Sequence, residues 1–472
     1  MKITNSSGTF QGFKANEKVS TFLGIQYATA NRFCEPVDIK KYDSVINAAN
    51  FGPQSPQVPG MMEQLLNTKD LSTSEDCLYL NIWTPTGRSE PLPVLFWIHG
   101  GAYTNGTAAT SWYDGTNLVQ LGDVVLVSIN YRLGPFGFIG EHNLGTLDQI
   151  SALRWVNRNI ESFGGDPNNV TIFGESAGGS SVVALTASPL TRGLINKAWA
   201  MSPSLRQLRT RAEAEEAKQK FLSAAKCASI DELRSLSTQQ IIDATAQMFV
   251  EVETYISTFS PTCGGSALPE DINSASADSQ IPLIVGTNRD ENRLWAVLNP
   301  PKNVVDEQIA QEYFDNALGD RATQALHTYA KFREQRSPID LITAMQTDRD
   351  FRAPAWQLCE TRSERTAATW SYWFTWPSPV FDGALGCCHG MDLPFMFNNL
   401  DKPNVELFAG TTPALQSISN NFTSELLQFA KNGLVSWPKY AISDRATLRI
   451  DQEVEVLYDP ESEVRKLWSH QR

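Results

Sequence analysis

Ser176 lies in the run Val170-Thr171-Ile172-Phe173-Gly174-Glu175-Ser176-Ala177-Gly178-Gly179. Residues 170–173 are apolar and mostly β-branched, and read as a buried strand. Gly174 and Gly178 flank the serine two residues away on either side. A serine thrown out on a sharp strand-to-helix turn needs neighbours with almost no side chain, so Gly-x-Ser-x-Gly after a strand is the pattern of an exposed nucleophile. Ala177, Gly178 and Gly179 open a helix whose free N–H groups and positive end favour an oxyanion beside Ser176. A hydroxyl attacks well only when a base takes its proton. The chain has five histidines. His389 follows a central-strand candidate at a loop, where a base for Ser176 belongs. His99 sits in a Gly-Gly loop, His142 in a polar turn, His327 in a helical insertion and His470 at the tail. A carboxylate must orient the imidazole and stabilise its charged form. Asp290 and Glu291, just past the strand at 283–285, both suit, and the order Ser, acid, His is that of an acyl-transfer site on a mostly parallel sheet.

The oxyanion formed in such chemistry needs two or three N–H donors. Ala177 supplies one. Gly101 and Ala102, after Gly100 at the end of the strand at 94–99, supply the others. A Gly-Gly loop also serves as a plain turn or a phosphate cradle, but the Lys-Ser/Thr of a P-loop is missing here. Cys387-Cys388-His389 is a poor metal site, because adjacent cysteines cannot easily ligate one ion. No metal or organic cofactor is expected.

The elements that must position these groups follow in chain order. Residues 19–27 and 78–83 alternate and form a β-rich edge. Residues 94–99 and 124–129 are apolar on both faces, as central parallel strands are. Leu147, Ile150, Leu153, Val156 and Ile160 are spaced by three and four, so a helix runs to about Phe163, where Gly164-Gly165-Asp166-Pro167 stops it. The Ser176 strand follows, completing a crossover unit. Residues 281–286 and 370–376 add two more buried strands, and 421–429 a terminal helix. Helical, charged stretches fill about 206–250 and 304–365. There is no repeat, low-complexity tract or linker, so residues 1–472 are expected to be one α/β domain: a large, mostly parallel sheet flanked by helices, with two helical insertions.

Composition narrows the partners. The net charge of −13 argues against nucleic acid and anionic membrane surfaces. No run reaches the ~18 apolar residues of a membrane span. The start, Met1-Lys2-Ile3-Thr4-Asn5-Ser6, turns polar at once and has no apolar signal core, so a cytoplasmic protein is expected. Seven scattered cysteines do not make a disulfide framework.

Longer motifs carry a resemblance. They are Glu75-Asp76-Cys77-Leu78-Tyr79-Leu80-Asn81, Trp97-Ile98-His99-Gly100-Gly101-Ala102, Asn130-Tyr131-Arg132-Leu133-Gly134 and Asn143-Leu144-Gly145-Thr146-Leu147-Asp148-Gln149. Phe163-Gly164-Gly165-Asp166-Pro167, Gly174-Glu175-Ser176-Ala177-Gly178, Gly286-Thr287-Asn288-Arg289-Asp290-Glu291 and His389-Gly390 complete the set. Nearly end to end, the chain resembles the type B carboxylesterases, which include bacterial para-nitrobenzyl esterases and animal cholinesterases. The resemblance implies an α/β-hydrolase fold and a serine carboxylesterase acting on a small-molecule ester as a monomer or weak homo-oligomer. It implies Ser176, Glu291 and His389 as the triad, and Gly101, Ala102 and Ala177 as oxyanion donors. It also implies that Glu175 lines the site near the base and that Ser202 supports the triad from behind. A same-fold hydrolase of carbamates, amides or a natural-product ester would use the same residues. A non-catalytic adhesion relative usually lacks a triad member, and none is missing here.

Departures from the family pattern are informative. The position that pairs with Cys77 in disulfide-bearing relatives is Ser55, so a free Cys77 is expected. Asn292 follows the acid and Pro203 follows Ser202 where glycine is usual. The loop 52–76, which carries the choline-binding tryptophan in cholinesterases, contains no aromatic residue. Tyr255, Ser257 and Phe259 align with the segment that narrows the acyl pocket of acetylcholine-specific enzymes, and Ser257 leaves room there. The resemblance therefore implies short-to-medium acyl esters of neutral alcohols. A histidine base sets activity rising through an ionisation near the free imidazole value of ~6.5.

Overall fold

The computed structural model describes residues 1–60, 68, 71–87, 90–251, 258–301, 304–333 and 337–469. Its centre is an eleven-stranded sheet. The strands are β1 (Phe13–Lys14), β2 (Val19–Gln26), β3 (Tyr79–Pro85), β4 (Leu92–Ile98), β5 (Val125–Ile129), β6 (Gly165–Glu175), β7 (Lys197–Met201), β8 (Leu283–Asn288), β9 (Thr369–Phe374), β10 (Ala446–Ile450) and β11 (Val454–Tyr458). Their spatial order is β1-β2-β3-β5-β4-β6-β7-β8-β9-β10-β11. Every pairing from β5 through β10 is parallel. The strands outside that block pair antiparallel.

Central strands read as continuous apolar runs because both faces are covered. Along β4, Val94, Phe96 and Ile98 point into one core and Leu95 and Trp97 into the other. Helices α1 (Leu144–Asn159) and α2 (Ala177–Ala187) cover the first face. A long C-terminal helix (Leu415–Asn432), wider than the expected 421–429, covers the second through Ile418, Phe422, Leu426 and Phe429. The expected helix at 147–163 ends at Asn159 and tightens to a 3₁₀ turn over Ile160–Phe163. Gly165, read in the sequence as part of a stop, already belongs to β6 and pairs with Leu92 of β4.

The strand order reverses at β4. From β4 the chain moves to β5 on one side, and from β5 it crosses back over β4 to β6. Loops leaving the carboxyl ends of β4 and β6 therefore part and leave a crevice, the usual ligand position of an open α/β sheet. The Gly100-Gly101 loop and Ser176 lie there.

The insertions are helical as expected. The first contains α3 (Arg211–Ala224) and α4 (Thr238–Glu251). The second contains α5 (Glu307–Leu318), α6 (Ala322–Phe332), α7 (Pro338–Thr347) and α8 (Ala353–Glu364). It has its own small core, in which Phe314, Tyr329 and Met345 pack with Leu467 and Trp468 from the end of the chain. Among the described residues no helix is long and apolar enough to cross a membrane.

Two ion pairs, the first of them buried, tie the sequence motifs together. Arg132 Nε and Nη2 donate to Asp148 at 2.8 and 2.7 Å, and Arg132 Nη1 donates to the Cys34 carbonyl at 2.7 Å. Removing one partner would leave a buried charge uncompensated, at a cost of about 3–5 kcal/mol. Arg32 Nε donates to Glu75 at 2.8 Å and anchors the segment leading to Cys77. Cys77 is fully buried beside Ser55, and burial pushes its thiol up to about 12. All seven cysteines are free. Intact-mass counting of alkylated cysteines after denaturation should give the same number with and without reductant. A difference of two would reveal a bridge.

Candidate active site

The site begins with backbone crowding at the end of β6. A Cβ on Gly178 would lie 2.1 Å from the Ile98 carbonyl oxygen, and one on Gly174 would lie 2.6 Å from the Gly178 backbone. A Cβ on Gly100 would meet the Glu175 carbonyl at 2.7 Å and Ser176 Cβ at 3.1 Å. Only glycine fits at these positions, so the elbow closes tightly. Ser176 itself is forced to φ 59°, ψ −121°, a conformation that non-glycine residues rarely adopt. Its N–H donates to the Met201 carbonyl at 3.0 Å, tying the elbow to β7.

Gly101 and Ala102 also take positive φ, at 105° and 52°. The turn is closed by Thr104 and Asn105 N–H donating to the Gly101 carbonyl at 2.9 and 3.0 Å. His99 Nδ1 meets the Gly100 carbonyl at 2.8 Å, and the His99 ring stacks on Tyr131 at 4.6 Å. The Tyr131 hydroxyl donates to the His99 carbonyl at 2.8 Å. Burial lowers the His99 imidazole to about 4, which suits a structural residue and not a base. Among the described hydrogen bonds, the N–H groups of Gly101, Ala102 and Ala177 donate to nothing.

Between the two candidate acids the geometry discriminates. Glu291 Oε2 lies 2.7 Å from His389 Nδ1, and Glu291 Oε1 accepts the Asn288 N–H at 2.7 Å. Asp290 turns away and accepts from Cys387 N–H and Arg289 Nε, each at 2.9 Å. His389 N–H donates to the Glu291 carbonyl at 3.1 Å, so backbone as well as side chain joins base and acid.

The other nitrogen, His389 Nε2, lies 3.1 Å from Glu175 Oε1, without the alignment of a hydrogen bond. No described hydrogen bond joins it to Ser176. The Glu175 carboxylate thus faces the imidazole. Ser202, at φ 42°, donates its N–H to Gly286 at 2.8 Å, and its buried hydroxyl has no partner. Phe259 packs its ring on Phe221 at 5.3 Å and Phe249 at 6.5 Å, so this expected pocket residue is part of the core of the first insertion. Tyr255 and Ser257 lie outside the described residues.

Three further residues complete the surroundings. Asp392 is fully buried, with Asn288 Nδ2 and the Tyr372 hydroxyl donating to it at 3.3 and 3.1 Å. Gly286 makes room for that tyrosine, since a Cβ there would lie 2.0 Å from the Tyr372 ring. Trp295 and Phe351 set their rings 5.0 and 4.8 Å from that of His389. Asp392 has a faint sequence signal, three residues past the base. Phe351 has none, because it comes from the middle of a helical insertion.

Sequence and structure comparisons fit this geometry. Residues 1–468 match the model of the carboxylesterase family. The chain belongs to that family. It is 35% identical to the para-nitrobenzyl esterase of Bacillus subtilis strain 168, across 98% of this chain and 97% of that protein. A solved para-nitrobenzyl esterase structure superposes with a TM-score of 0.86 at 34% identity, covering 100% of both chains. A carboxylesterase from Geobacillus stearothermophilus gives a TM-score of 0.86 at 31% identity, covering 99% of this chain and 100% of that one. The protein is thus a carboxylic ester hydrolase of the serine type with an α/β-hydrolase fold.

The carboxylates change the pH expectation. Burial alone would lower His389, but the Glu175 and Glu291 anions outweigh it and raise the imidazole to about 9. Burial raises Glu175 to about 8, with His389 opposing and Asp392 reinforcing. An esterase whose base carries a raised pKa gains activity as pH rises through that value, so the midpoint of kcat/KM should lie above ~6.5 and not at it. Replacing Glu175 by Gln removes an opposite charge beside the imidazole and should move the midpoint down by about one unit or more. An unmoved or higher midpoint in the variant would show that Glu175 does not hold the imidazolium.

Proposed function

We propose that Ser176, His389 and Glu291 are the nucleophile, base and orienting acid of this esterase, with Gly101, Ala102 and Ala177 as its oxyanion donors. The observation that carries this reading is the 2.7 Å contact of Glu291 with His389 Nδ1. It leaves Nε2 as the proton acceptor on the side of the strained serine. His389 takes the Ser176 proton as Oγ adds to the ester carbonyl. The oxyanion collects the free N–H groups of the Gly100-Gly101 loop and of the start of α2. His389 returns the proton to the leaving alcohol, and water repeats the sequence on the acyl-enzyme. All of these residues come from one chain, so residues 1–472 are read as one catalytic unit, active as a monomer or weak homo-oligomer. Ser176→Ala should lose at least ~10³-fold in kcat while keeping its fold, and His389→Ala should do similar damage. His99→Gln should cost less, because the donors beside it are backbone groups. Near-normal turnover by folded Ser176→Ala would sink the assignment.

The substrate class follows from where charge and aromatic faces are already committed. Glu175 is turned to His389. Trp295 is shared between His389 and the Phe351 ring, 6.1 Å away. Phe374 packs its ring against Phe395 and Phe422 in the core, and Trp376 is buried with it. None of these is arranged to hold a quaternary ammonium, and the loop 52–76 has no aromatic residue. The preferred substrates are therefore short-to-medium acyl esters of neutral alcohols. Butyrylcholine compared with its uncharged isostere, 3,3-dimethylbutyl butyrate, tests this. The uncharged ester should have at least equal kcat/KM. A tenfold preference for choline, about 1.4 kcal/mol, would mean a cation site is present.

A further inference from the structure

Phe351 reaches the base from an unusual piece of backbone. Residues Asp348–Arg352 form a π turn between α7 and α8, closed by Ala353 N–H donating to the Asp348 carbonyl five residues back. Its cause is in the sequence. Pro354 has no N–H to give to the carbonyl four residues before it, so an ordinary α-helix cannot run through this point. The wider turn shifts the register of the helix, as such bulges do at functional sites. Phe351 lies within it, buried, its ring 4.8 Å from the imidazole of His389 and stacked at 11° on Trp295.

Asp348 and Arg352, at the two ends of the turn, join a buried ion cluster. Arg352 Nη1 donates to Asp348 Oδ1 at 3.0 Å and to Glu461 Oε2 at 2.7 Å. Arg333 Nη1 donates to Glu461 Oε1 at 2.5 Å. The Tyr329 hydroxyl donates to Asp348 at 2.7 Å and accepts from Trp468 Nε1 at 3.0 Å. The Arg352 guanidinium also lies over the rings of Trp373 and Trp356, at 4.4 and 4.8 Å. Just before the turn, Thr347 Oγ1 accepts the N–H of Asn292, the residue after Glu291, at 3.0 Å. One short segment thus touches both the loop of the acid and the ring of the base, and is clamped from behind by the end of the chain.

Building on the triad reading above, we propose that the Asp348–Arg352 turn is a positioning element for His389. It acts through the Phe351 ring, and the Asp348–Arg352–Glu461 cluster holds it in place. Phe351 and Trp295 bound the imidazole by their rings while Glu175, Glu291 and Asp392 surround its polar side. With the ring wall in place, the small rotation open to His389 is the one that carries Nε2 from Glu175 to Ser176. Without it the imidazole is free to tilt out of line with the serine hydroxyl. Mispositioning by a fraction of an ångström is enough to slow proton transfer without weakening ester binding.

The test uses diethyl para-nitrophenyl phosphate on the full chain. Ser176 Oγ forms the new bond to phosphorus, its proton goes to His389, and para-nitrophenolate leaves. The amount released counts intact sites, and the rate per site measures activation of the serine. Phe351→Leu, which keeps the volume and removes the ring, should release close to one equivalent at a rate about tenfold lower. For para-nitrophenyl butyrate its kcat should fall by a similar factor, with KM changed less than about twofold. Glu461→Gln and Asp348→Asn touch no part of the site and should slow the rate per site in the same sense, by about threefold. A merely structural role predicts fewer sites at an unchanged rate per site. That result in Phe351→Leu would overturn the role of the ring, and in both cluster variants the role of the clamp. Release persisting in Ser176→Ala would strike the triad reading instead, which keeps the two failures distinct.

Discussion

The close approach of the β4 backbone to the first turn of α2 is the constraint on which the site depends. The Ile98 carbonyl occupies the space where any side chain at position 178 would stand. That contact requires glycine at 178, the sharp elbow requires it at 174, and the packing of the neighbouring loop against Glu175 and Ser176 requires it at 100. Ser176 then has no relaxed conformation available and remains at φ 59°. The strain is held by well-formed surroundings: a parallel strand on each side of β6, a hydrogen bond from Ser176 N–H to β7, and an apolar core beneath. Oxyanion donors that are backbone N–H groups need no side-chain ordering. Their position is set once the strands are in register.

Electrostatics at the site follows from burial. Glu175, Glu291 and Asp392 are buried around one imidazole. Three carboxylates cannot all be ionised there with a single cation as partner, since desolvation penalises each charge and like charges repel. The structure answers this unevenly. Glu291 accepts two hydrogen bonds, from His389 and from the Asn288 backbone. Asp392 has two neutral donors, and burial with the nearby Glu291 raises it to about 7. Glu175 Oε1 faces the imidazole and makes no described hydrogen bond, and burial raises the carboxyl to about 8. On the proposed triad, the residue next to the nucleophile would thus help to raise the base.

The two kinds of sequence signal differ in what they can report. Glycine spacing reported the elbow because sterics there act between residues a few positions apart. Apolar runs at 94–99, 124–129 and 281–286 reported the parallel strands because both faces are buried. Asp290 and Glu291 were not separable by residue type or spacing alone, since which carboxylate meets His389 depends on how the loop after β8 pairs with the loop after β9. The resemblance chose Glu291 on family pattern, and the 2.7 Å contact with His389 agrees. The raised basicity of His389 was not legible, because three carboxylates converge on it from positions 175, 291 and 392. Nor was Phe351, whose place depends on a π turn set by Pro354 and on an ion cluster completed by Glu461. Phe259, read by alignment as a pocket residue, is buried with its ring against Phe221 and Phe249.

The site is built from two separately braced halves. The acid and base loops, 98 residues apart in sequence, are laced together. Asp290 N–H donates to the Cys387 carbonyl and Cys387 N–H to the Asp290 carboxylate, each at 2.9 Å, Asn288 Nδ2 donates to the Cys388 carbonyl at 2.9 Å, and Glu291 meets His389 twice. The serine elbow and the oxyanion loop are laced to each other through β4, β6 and Tyr131. Across the boundary His389 Nε2 approaches Glu175 Oε1 at 3.1 Å, not aligned as a hydrogen bond. On the proposed triad, the freedom the reaction needs is one small rotation of the imidazole, between the Glu175 carboxylate and the Ser176 hydroxyl. A base that must receive a proton from serine and later deliver it to a departing alcohol needs that small rotation and little else.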